Sequence, residues 1–541
     1  MVKGGVPEPI DLTQEERRAK ILALLGALRQ LPADARDISP VLRRYPSPRG
    51  TYAKSQLLAA YRTLVEEGAL ERDPVLERRL RARPVRTISG VAPVAVLTEP
   101  HPCPGECIFC PNQSGAPKSY LDGEPGVLRA LQFDYDPYEQ TAGRIAALTA
   151  IGHPTDKIEL LVLGGTWSYY PESYQRRFLR RCFDAMNAEP SETLAEALER
   201  NETAPHRNVG LVVETRPDYV TPAEILRLRR EGVTKVQVGA QSLDDEILAL
   251  NKRGHTVDQT RRALRLLRLA GFKVVLHWMP NLYGATLESD REDFARLWDD
   301  PALRPDELKI YPAALLEGTE LYDLWQQGRY KPYDEESLIG LLKEAKTLIR
   351  PYCRLNRLMR DIPADYIVEG TRKSNLRQII RQRMEPEGLV CRCIRCREIR
   401  GRETVDPEAV RLEDLVYETD ATEEHFLQML TPEERLAGFL RLSLPRAPRD
   451  ELPIPEIRTA AMIREVHVYG PAQTLGRRRR GGQHRGLGTW LLEEAADMAR
   501  KAGFSELAVI AAVGTRHYYR ERGFVRGELY PIQPLTLLKK G

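Results

Sequence analysis

Three cysteines, Cys103, Cys107 and Cys110, stand in the stretch CPGECIFC with the spacing CxxxCxxC. Thiolates this close on one loop can ligate three corners of a [4Fe–4S] cluster and leave the fourth iron without a protein ligand, which is where chemistry can occur. A structural zinc ion would want four ligands, and no second CxxC or HxxxH lies within thirty residues on either side. A second triplet, Cys391, Cys393 and Cys396, sits in the run CRCIRC. Such thiol density at a domain boundary reads as a structural Zn2+ loop, with Cys353 or a histidine as the fourth ligand. Cys182, alone between Arg181 and Phe183, reads as a small core residue. Eight cysteines in two triplets and two singles form a metal pattern rather than a disulfide framework, and place the chain in a reducing cytoplasm.

Further along, Gln483, Gly486, Gly488 and Thr489 lie in QHRGLGT, just before the helix-length run TWLLEEAADMARKAG. The form QxxGxG at a helix N-terminus presents successive backbone N–H groups to a pyrophosphate, with glycine where the phosphate must approach the backbone. Downstream come an apolar strand, Leu507 to Ala511, and the segment RHYYRERGF containing Tyr518 and Tyr519. Four arginines, Arg477 to Arg480, precede the pyrophosphate loop and offer affinity for phosphates of a coenzyme or a nucleic acid. A denser basic run is Arg78, Arg79, Arg81, Arg83 and Arg86, five arginines in nine residues. The net charge is only +4, from 81 Lys+Arg against 77 Asp+Glu, so any nucleic-acid surface must come from clusters of this kind.

These groups need elements to position them. Residues 11–31 read as an amphipathic helix with Thr13 and Glu16 as a capping box, and 52–67 as a second helix ending at Gly68. From about residue 88, short apolar runs at 92–97, 158–163, 208–213, 234–239, 272–277 and 306–311 alternate with helix-length segments, the pattern of βα units with a parallel sheet. In such barrels the active site lies at the C-terminal ends of the strands, and the first cysteine triplet directly follows the first run. Gly164-Gly165-Thr166, Glu214-Thr215-Arg216, Gln241 and Lys309 fall at later strand ends. Beyond about residue 410 the chain is strand-rich and then α/β, with strands near 436–443 and 463–469. With 541 residues the chain is too long for one core, and four regions are expected: a basic helical region over 1–85, a barrel over 86–350, a linker with the cysteine-rich loop over 351–410, and an α/β domain over 411–541. No apolar run approaches the roughly 18 residues of a membrane span, so neither export nor anchoring is expected.

The cysteine spacing resembles the radical S-adenosylmethionine (SAM) superfamily, and the six runs fit its partial (β/α)6 barrel. That resemblance implies SAM bound to the open iron and cleaved by one electron to a 5′-deoxyadenosyl radical, with Phe109 beside the adenine. It also implies that Gly164 and Gly165 hold the SAM amino group, although Thr166 replaces the usual acid, and that Gln241 and Lys309 line the same site. The C-terminal segments resemble the GNAT acetyltransferase fold, which implies an acetyl-CoA loop at Gln483–Thr489 and a tyrosine, Tyr519 with Tyr518 as its neighbour, that protonates the leaving thiolate. A radical SAM barrel followed by a GNAT domain resembles the catalytic third subunit family of the elongator complex in its single-chain bacterial or archaeal form. The likeness runs through RTISGV (86–91), YDPYEQ (135–140), KIYP (309–312), RDIP (360–363), CRCIRCRE (391–398) and REVHVYG (464–470). Eukaryotic members space the first two cluster cysteines more widely.

The family resemblance implies a tRNA-modifying enzyme that makes 5-carboxymethyluridine at the wobble uridine. In the mechanism it implies, the radical abstracts hydrogen from the acetyl methyl group, the carbon radical adds to C5 of the uracil, and thioester hydrolysis frees CoA. A wobble base already lies in a loop from which it can be splayed into a pocket. The acetyl group must meet both the CoA loop and the cluster, so the two domains are expected to share one cleft. An unidentified electron donor is implied, and a homodimer is allowed. Two rivals are a protein lysine acetyltransferase with a structural Fe–S cluster, which needs no SAM, and a non-catalytic tRNA-binding scaffold, which needs neither the cluster loop nor the tyrosine.

Overall fold

The structure, a computed structural model, describes residues 9–536 except 33, 34, 36, 49, 83–86, 88, 374, 400–405 and 470–485. Four helices, Glu15–Arg29, Ser39–Arg44, Lys54–Glu66 and Pro74–Leu80, form the N-terminal unit. Ile21, Leu24, Leu25 and Leu28 recur at helical spacing because they share one face, and that face is fully buried against Leu57, Leu58, Tyr61, Leu64, Leu76 and Leu80. The expected capping box is not formed: the first helix begins at Glu15 after Gln14, and Thr13 donates to the Asp11 carboxylate instead. Gly68 ends the third helix with φ +72°, the left-handed C′ position that glycine adopts without strain.

The central domain is a parallel half-barrel in strict sequence order, β1 (Ala92–Leu97), β2 (Lys157–Leu163), β3 (Arg207–Thr215), β4 (Lys235–Gln241), β5 (Lys273–Trp278), β6 (Glu307–Ile310) and β7 (Arg354–Arg357). Six of these are the apolar runs of the sequence, whose helix-facing side chains such as Val94, Ile158, Leu160, Val236, Val238 and Leu276 are fully or almost fully buried. The seventh, Arg-Leu-Asn-Arg, extends the sheet into the segment expected to be a linker.

The C-terminal domain is a mixed sheet of β8 (Arg411–Glu418), β9 (Thr422–Leu430), β10 (Leu436–Pro445), β11 (Ala461–Val468), β12 (Glu506–Val509), β13 (Val525–Arg526) and β14 (Pro531–Pro534), ordered β13-β14-β12-β11-β10-β9-β8. Its one parallel pair, β11 with β12, is matched only from Ala461–Leu507 to Ile463–Val509, whereas β11 stays paired with β10 out to Val468. The register of β10 against β11 shifts at Arg441/Leu442 and leaves Arg464 bulged out. From Arg464 onward β11 therefore parts from β12 and leaves an opening through the sheet. The helix Leu487–Lys501 packs on one face of that opening, with Gly488 beside Val468.

The barrel's N-terminal rim covers the other face. Arg464 donates to both Asp306 oxygens at 2.7 and 2.6 Å and to Glu424 at 2.7 and 3.0 Å, and Arg441 reaches Glu465 at 3.0 Å and the Tyr352 carbonyl at 2.7 Å. Gly514 lies so close to β3 that a Cβ there would come within 2.9 Å of the Asn208 backbone. These contacts fall at strand starts. The cysteine loop lies at strand ends, so the opening between β11 and β12 and the cysteines are at opposite ends of the barrel, which corrects the expectation of a single shared cleft.

Candidate active site

The chain leaves β1 at Leu97 and enters the cysteine loop, where Thr98 donates from its backbone to Leu163 at 2.9 Å. Cys107 Sγ accepts from Arg253 Nη1 at 3.0 Å, Cys103 Sγ lies 3.8 Å from Thr166 Oγ1, and the Gly105 N–H points at Cys103 Sγ at 3.5 Å. Gly105 is demanded by close approach, because a Cβ there would lie 2.2 Å from Arg216 Nη1. Arg216 is itself fixed by Asp218 at 3.0 Å and donates to the Arg253 carbonyl at 2.6 Å, and Arg253 is fixed on Gly239 O at 2.6 Å. Two guanidinium groups thus stand against the loop and supply positive charge to thiolates.

The donor set fits a [4Fe–4S] cluster. Burial and the adjacent Cys107 push the Cys110 thiol up to about 12, against the opposing pull of Lys118 and Arg360, so it ionises at neutral pH only when a bound cation compensates. Among the described residues, Cys391, Cys393 and Cys396 form the one group of three or more potential ligands whose atoms converge within 4.8 Å. The cysteines of the first triplet are more widely spread. A single zinc ion with bonds of about 2.3 Å holds its thiolates about 4 Å apart, so the compact triplet suits zinc and the open one suits three corners of a larger cluster.

The other strand-end groups gather above the same loop. Gly164 and Gly165 take φ of +130° and +113°, and a Cβ on Gly164 would meet Thr98 Oγ1 at 2.0 Å. Gln241 ends β4 with φ +70°, and its Oε1 is buried with no hydrogen-bond partner among the described groups. Lys309 Nζ stands 3.5 Å from Glu214, and Tyr120 donates to the same carboxylate at 3.3 Å. Arg360, 5.4 Å over the Tyr120 ring, ties the loop down through Ser119 and Glu124. His255 is buried beside Arg253 and Arg216, and burial followed by their charge lowers it to about 3, so it stays neutral. Sequence reasoning missed Tyr120, Arg253, His255 and Arg360. The signal for two of them was the turn Asn251–His255, where Gly254 takes φ +69° between an arginine and a histidine.

The second triplet is built on the short helix Ile394–Arg397, with Cys396 N–H bonded to Cys393 O at 3.0 Å. Cys353 is fully buried just before β7 and its carbonyl accepts from Ile394 at 3.0 Å, but its sulfur is outside the convergent group, as is every described histidine. The expected fourth ligand is therefore not Cys353 in this arrangement, because its side chain is held in the apolar core.

In the C-terminal domain, Gln483 and Arg477–Arg480 lie outside the described residues. Gly486 caps the helix Leu487–Lys501 with extended backbone, and its carbonyl accepts from Thr489 at 2.8 Å. A Cβ on Gly488 would fall 2.7 Å from the Tyr518 hydroxyl. Arg522 stacks 3.6 Å over the Tyr518 ring and reaches Thr489 Oγ1 at 3.3 Å. The hydroxyl that faces the start of this helix belongs to Tyr518, while Tyr519 is buried against Phe524.

The basic run divides. Arg78 is exposed, and Arg81 is half-buried and donates to Gly152 O at 2.7 Å. Arg79 is only 4% exposed and donates to the carbonyls of Leu28, Leu31 and Pro32, so it seals the end of the first helix and leaves the expected phosphate-binding surface. Arg83 and Arg86 lie outside the described residues.

Comparison with known proteins agrees with this anatomy. The Radical SAM superfamily profile matches residues 101–297 and the Radical SAM C-terminal domain profile matches 305–386, which takes in β7. The chain is 42% identical over 502 residues to the tRNA uridine(34) acetyltransferase of Methanocaldococcus infernus, covering 88% of this chain and 93% of that one. It is 44% identical over 446 residues to the protein of the same name from Dehalococcoides mccartyi, covering 81% and 96%, and 37% identical to human Elongator complex protein 3, covering 83% and 85%. A solved structure of Methanocaldococcus infernus Elp3 with an N-terminal deletion superimposes with a TM-score of 0.72 at 40% identity, covering 83% of this chain and all of that one. No helix among the described residues is long and apolar enough to cross a membrane. A radical SAM half-barrel closed at its base by a mixed sheet, with 37% to 44% identity to these proteins across more than four fifths of this chain, makes it a member of the tRNA uridine(34) acetyltransferase and Elongator complex protein 3 family.

Proposed function

We propose that the protein modifies tRNA, forming 5-carboxymethyluridine at the wobble uridine with SAM and acetyl-CoA as co-substrates. The observation that carries this reading is the presence in one chain of the cysteine loop at the barrel's strand ends and the opening between β11 and β12 at its base. Cys103, Cys107 and Cys110 would hold the cluster, with SAM against Gly164, Gly165 and Gln241. When bound, the cluster and SAM supply a one-electron route to hydrogen abstraction from an unactivated methyl group. Arg216 and Arg253 orient the loop and offset its negative charge. Lys309, Glu214 and Tyr120 offer a hydrogen-bonded polar surface below the loop, suited to a uracil base. A phenol at the head of the helix Leu487–Lys501, from Tyr518 or its neighbour Tyr519, is placed to give a proton to a departing thiolate. Burial raises the pKa of both phenols, which keeps them protonated at neutral pH.

Residues 1–85 serve as the helical tRNA-binding region through Arg78 and Arg81 and, by sequence, Arg83, with Arg86 at the start of the next region. The barrel, expected over 86–350, runs on through β7 to Arg357, the zinc loop follows within the remainder of 351–410, and 411–541 form the acetyl-CoA domain, with a cytoplasmic setting. The test is nucleoside mass spectrometry of tRNA incubated anaerobically with the protein, SAM, acetyl-CoA and a reductant. A carboxymethylated uridine that requires both co-substrates is expected. Lysine acetylation with no SAM cleavage would favour the acetyltransferase rival.

A further inference from the structure

The interior of a closed βα barrel is ordinarily filled by branched apolar side chains in layers. Here the concave face carries a polar ladder on β4 and β6 beside apolar residues such as Leu161, Val212 and Val275. Lys235 at the start of β4 reaches across it to Glu159 on β2 and Glu307 on β6, both at 2.9 Å. Above them, in one layer, His277 Nε2 lies 3.0 Å from Gln237 Oε1 and Lys309 faces Glu214 at 3.5 Å, His277 being in register with Lys309 and Glu214 with Gln237. Lys235, Gln237, Gly239 and Gln241 succeed one another on β4, as Glu307 and Lys309 do on β6, so at every second residue these strands turn a polar or bare position to the axis. Though surrounded by strands, Glu159 keeps 28% of its side chain accessible, Glu214 16%, Lys273 15% and Lys309 12%. The axis therefore holds open space. Gly210 helps: a Cβ there would only just meet Glu159, at 3.4 Å.

Both ends of this space meet a site already described. At the base, Glu465 and Tyr469 project from the β11 side onto Lys273 at 3.5 Å and Arg354 at 3.1 Å, and between them His467 has a buried Nε2 with no partner among the described groups. This stretch of β11 is the one that has parted from β12. The helix bearing Gly488 lies on the opposite face, so a chain entering beside that helix and passing through the opening emerges facing the barrel's base. At the top, Lys309, Glu214 and Tyr120 lie beneath the cysteine loop.

We propose that the barrel axis is a conduit through which the acyl-pantetheine arm of the acetyl-CoA co-substrate passes from the β11–β12 opening to the cysteine end; this rests on the function proposed above. The six steps from Lys235 to Gln241 span about 20 Å, the separation that otherwise keeps the acetyl group from the cluster end. The arm is slim and neutral, with two amides, a hydroxyl and a thioester. Gln237, His277, Asn356 and Lys309 offer it hydrogen bonds that an apolar core would deny. No bond is made or broken along the way.

Blocking the middle tests this. Gln237→Trp and, on the adjacent strand nearer the base, Gly210→Leu should lower wobble-uridine product at least tenfold, while SAM cleavage and affinity for adenosine 3′,5′-bisphosphate, which reports the coenzyme head group alone, stay within about twofold. Gln237→Leu, similar in volume to the native residue, should retain most of the product. Correctly folded blocked variants that keep wild-type product yield would overturn the conduit. Should both fail to fold, a diazirine-bearing acyl-CoA irradiated on the wild-type holoenzyme decides: crosslinks in 235–241 and 307–311 support the conduit, and crosslinks confined to outer surfaces refute it. A wild-type enzyme that makes no modified uridine would instead sink the assigned reaction, without altering the crosslink readout.

Discussion

Asp306 carries the buried ion pair between the two domains, and its replacement by asparagine should weaken their interface. Its carboxylate is wholly buried and accepts two bonds from Arg464 at 2.7 and 2.6 Å and one from the Val274 N–H at 2.9 Å, with Arg441 at 3.4 Å. Breaking a buried ion pair from one side costs about 3–5 kcal/mol, because the remaining charge is left without its partner. Arg464 keeps Glu424, so Asp306→Asn belongs at the lower end, about 3 kcal/mol. For domains of this size that corresponds to a fall of roughly 6–12 °C in the calorimetric transition that carries the interface. Burial by itself would raise the Asp306 carboxyl, but the charges of Arg464 and then Arg441 outweigh it and hold the group well below the usual carboxylate range. With the folded pKa depressed, the stabilisation is present above the unfolded value of about 3.9 and is lost as pH falls toward the folded one. The gap between wild type and Asp306→Asn should thus be flat from pH 5 to 8 and narrow below about pH 4. Scanning calorimetry across that range is the assay, with Arg464→Met and the double variant completing a cycle in which the losses are less than additive. A fall below about 2 °C, or a gap that widens on acidification, would refute the reasoning.

Three further outcomes are expected. Arg79→Met should destabilise the N-terminal helices without changing the slope of log tRNA affinity against log salt, whereas Arg78→Ala should flatten that slope by about 0.7 on a single strand and 0.9 on duplex; filter binding at several salt concentrations reads both. Gly488→Ala should weaken acetyl-CoA binding by forcing the Tyr518 hydroxyl aside, and Tyr518→Phe in that background should restore binding, measured by calorimetric titration, while tRNA-stimulated thiol release stays low by roughly a hundredfold for want of the acid. Cys391→Ser should remove about one equivalent of zinc by elemental analysis and lower the melting temperature, with iron content unchanged.

What could be read from the sequence follows from where side chains point. The first six barrel strands were legible because apolar residues on their helix-facing side are buried and give continuous runs. β7 was hidden because four residues, Arg354 to Arg357, carry a single buried apolar side chain, Leu355, between groups that bond to Glu398, Glu307 and Asp361. The cysteine triplets were legible as spacings, but the difference between them is spatial: one converges and the other stays open. Arg79 shows the converse limit, since a basic run in the chain need not be a basic surface once a helix turns one guanidinium inward to three carbonyls. The largest departure is the mutual placement of the two domains. It depends on Arg441 and Arg464 meeting Asp306 across 135 and 158 residues of chain, pairings between single charged residues that no local pattern announces. Those pairings set the C-terminal mixed sheet against the base of the barrel. The polarity of its inner face, visible all along in Lys235, Gln237, Glu307 and Lys309, then becomes intelligible as the lining of a path between two sites rather than as a poorly packed core.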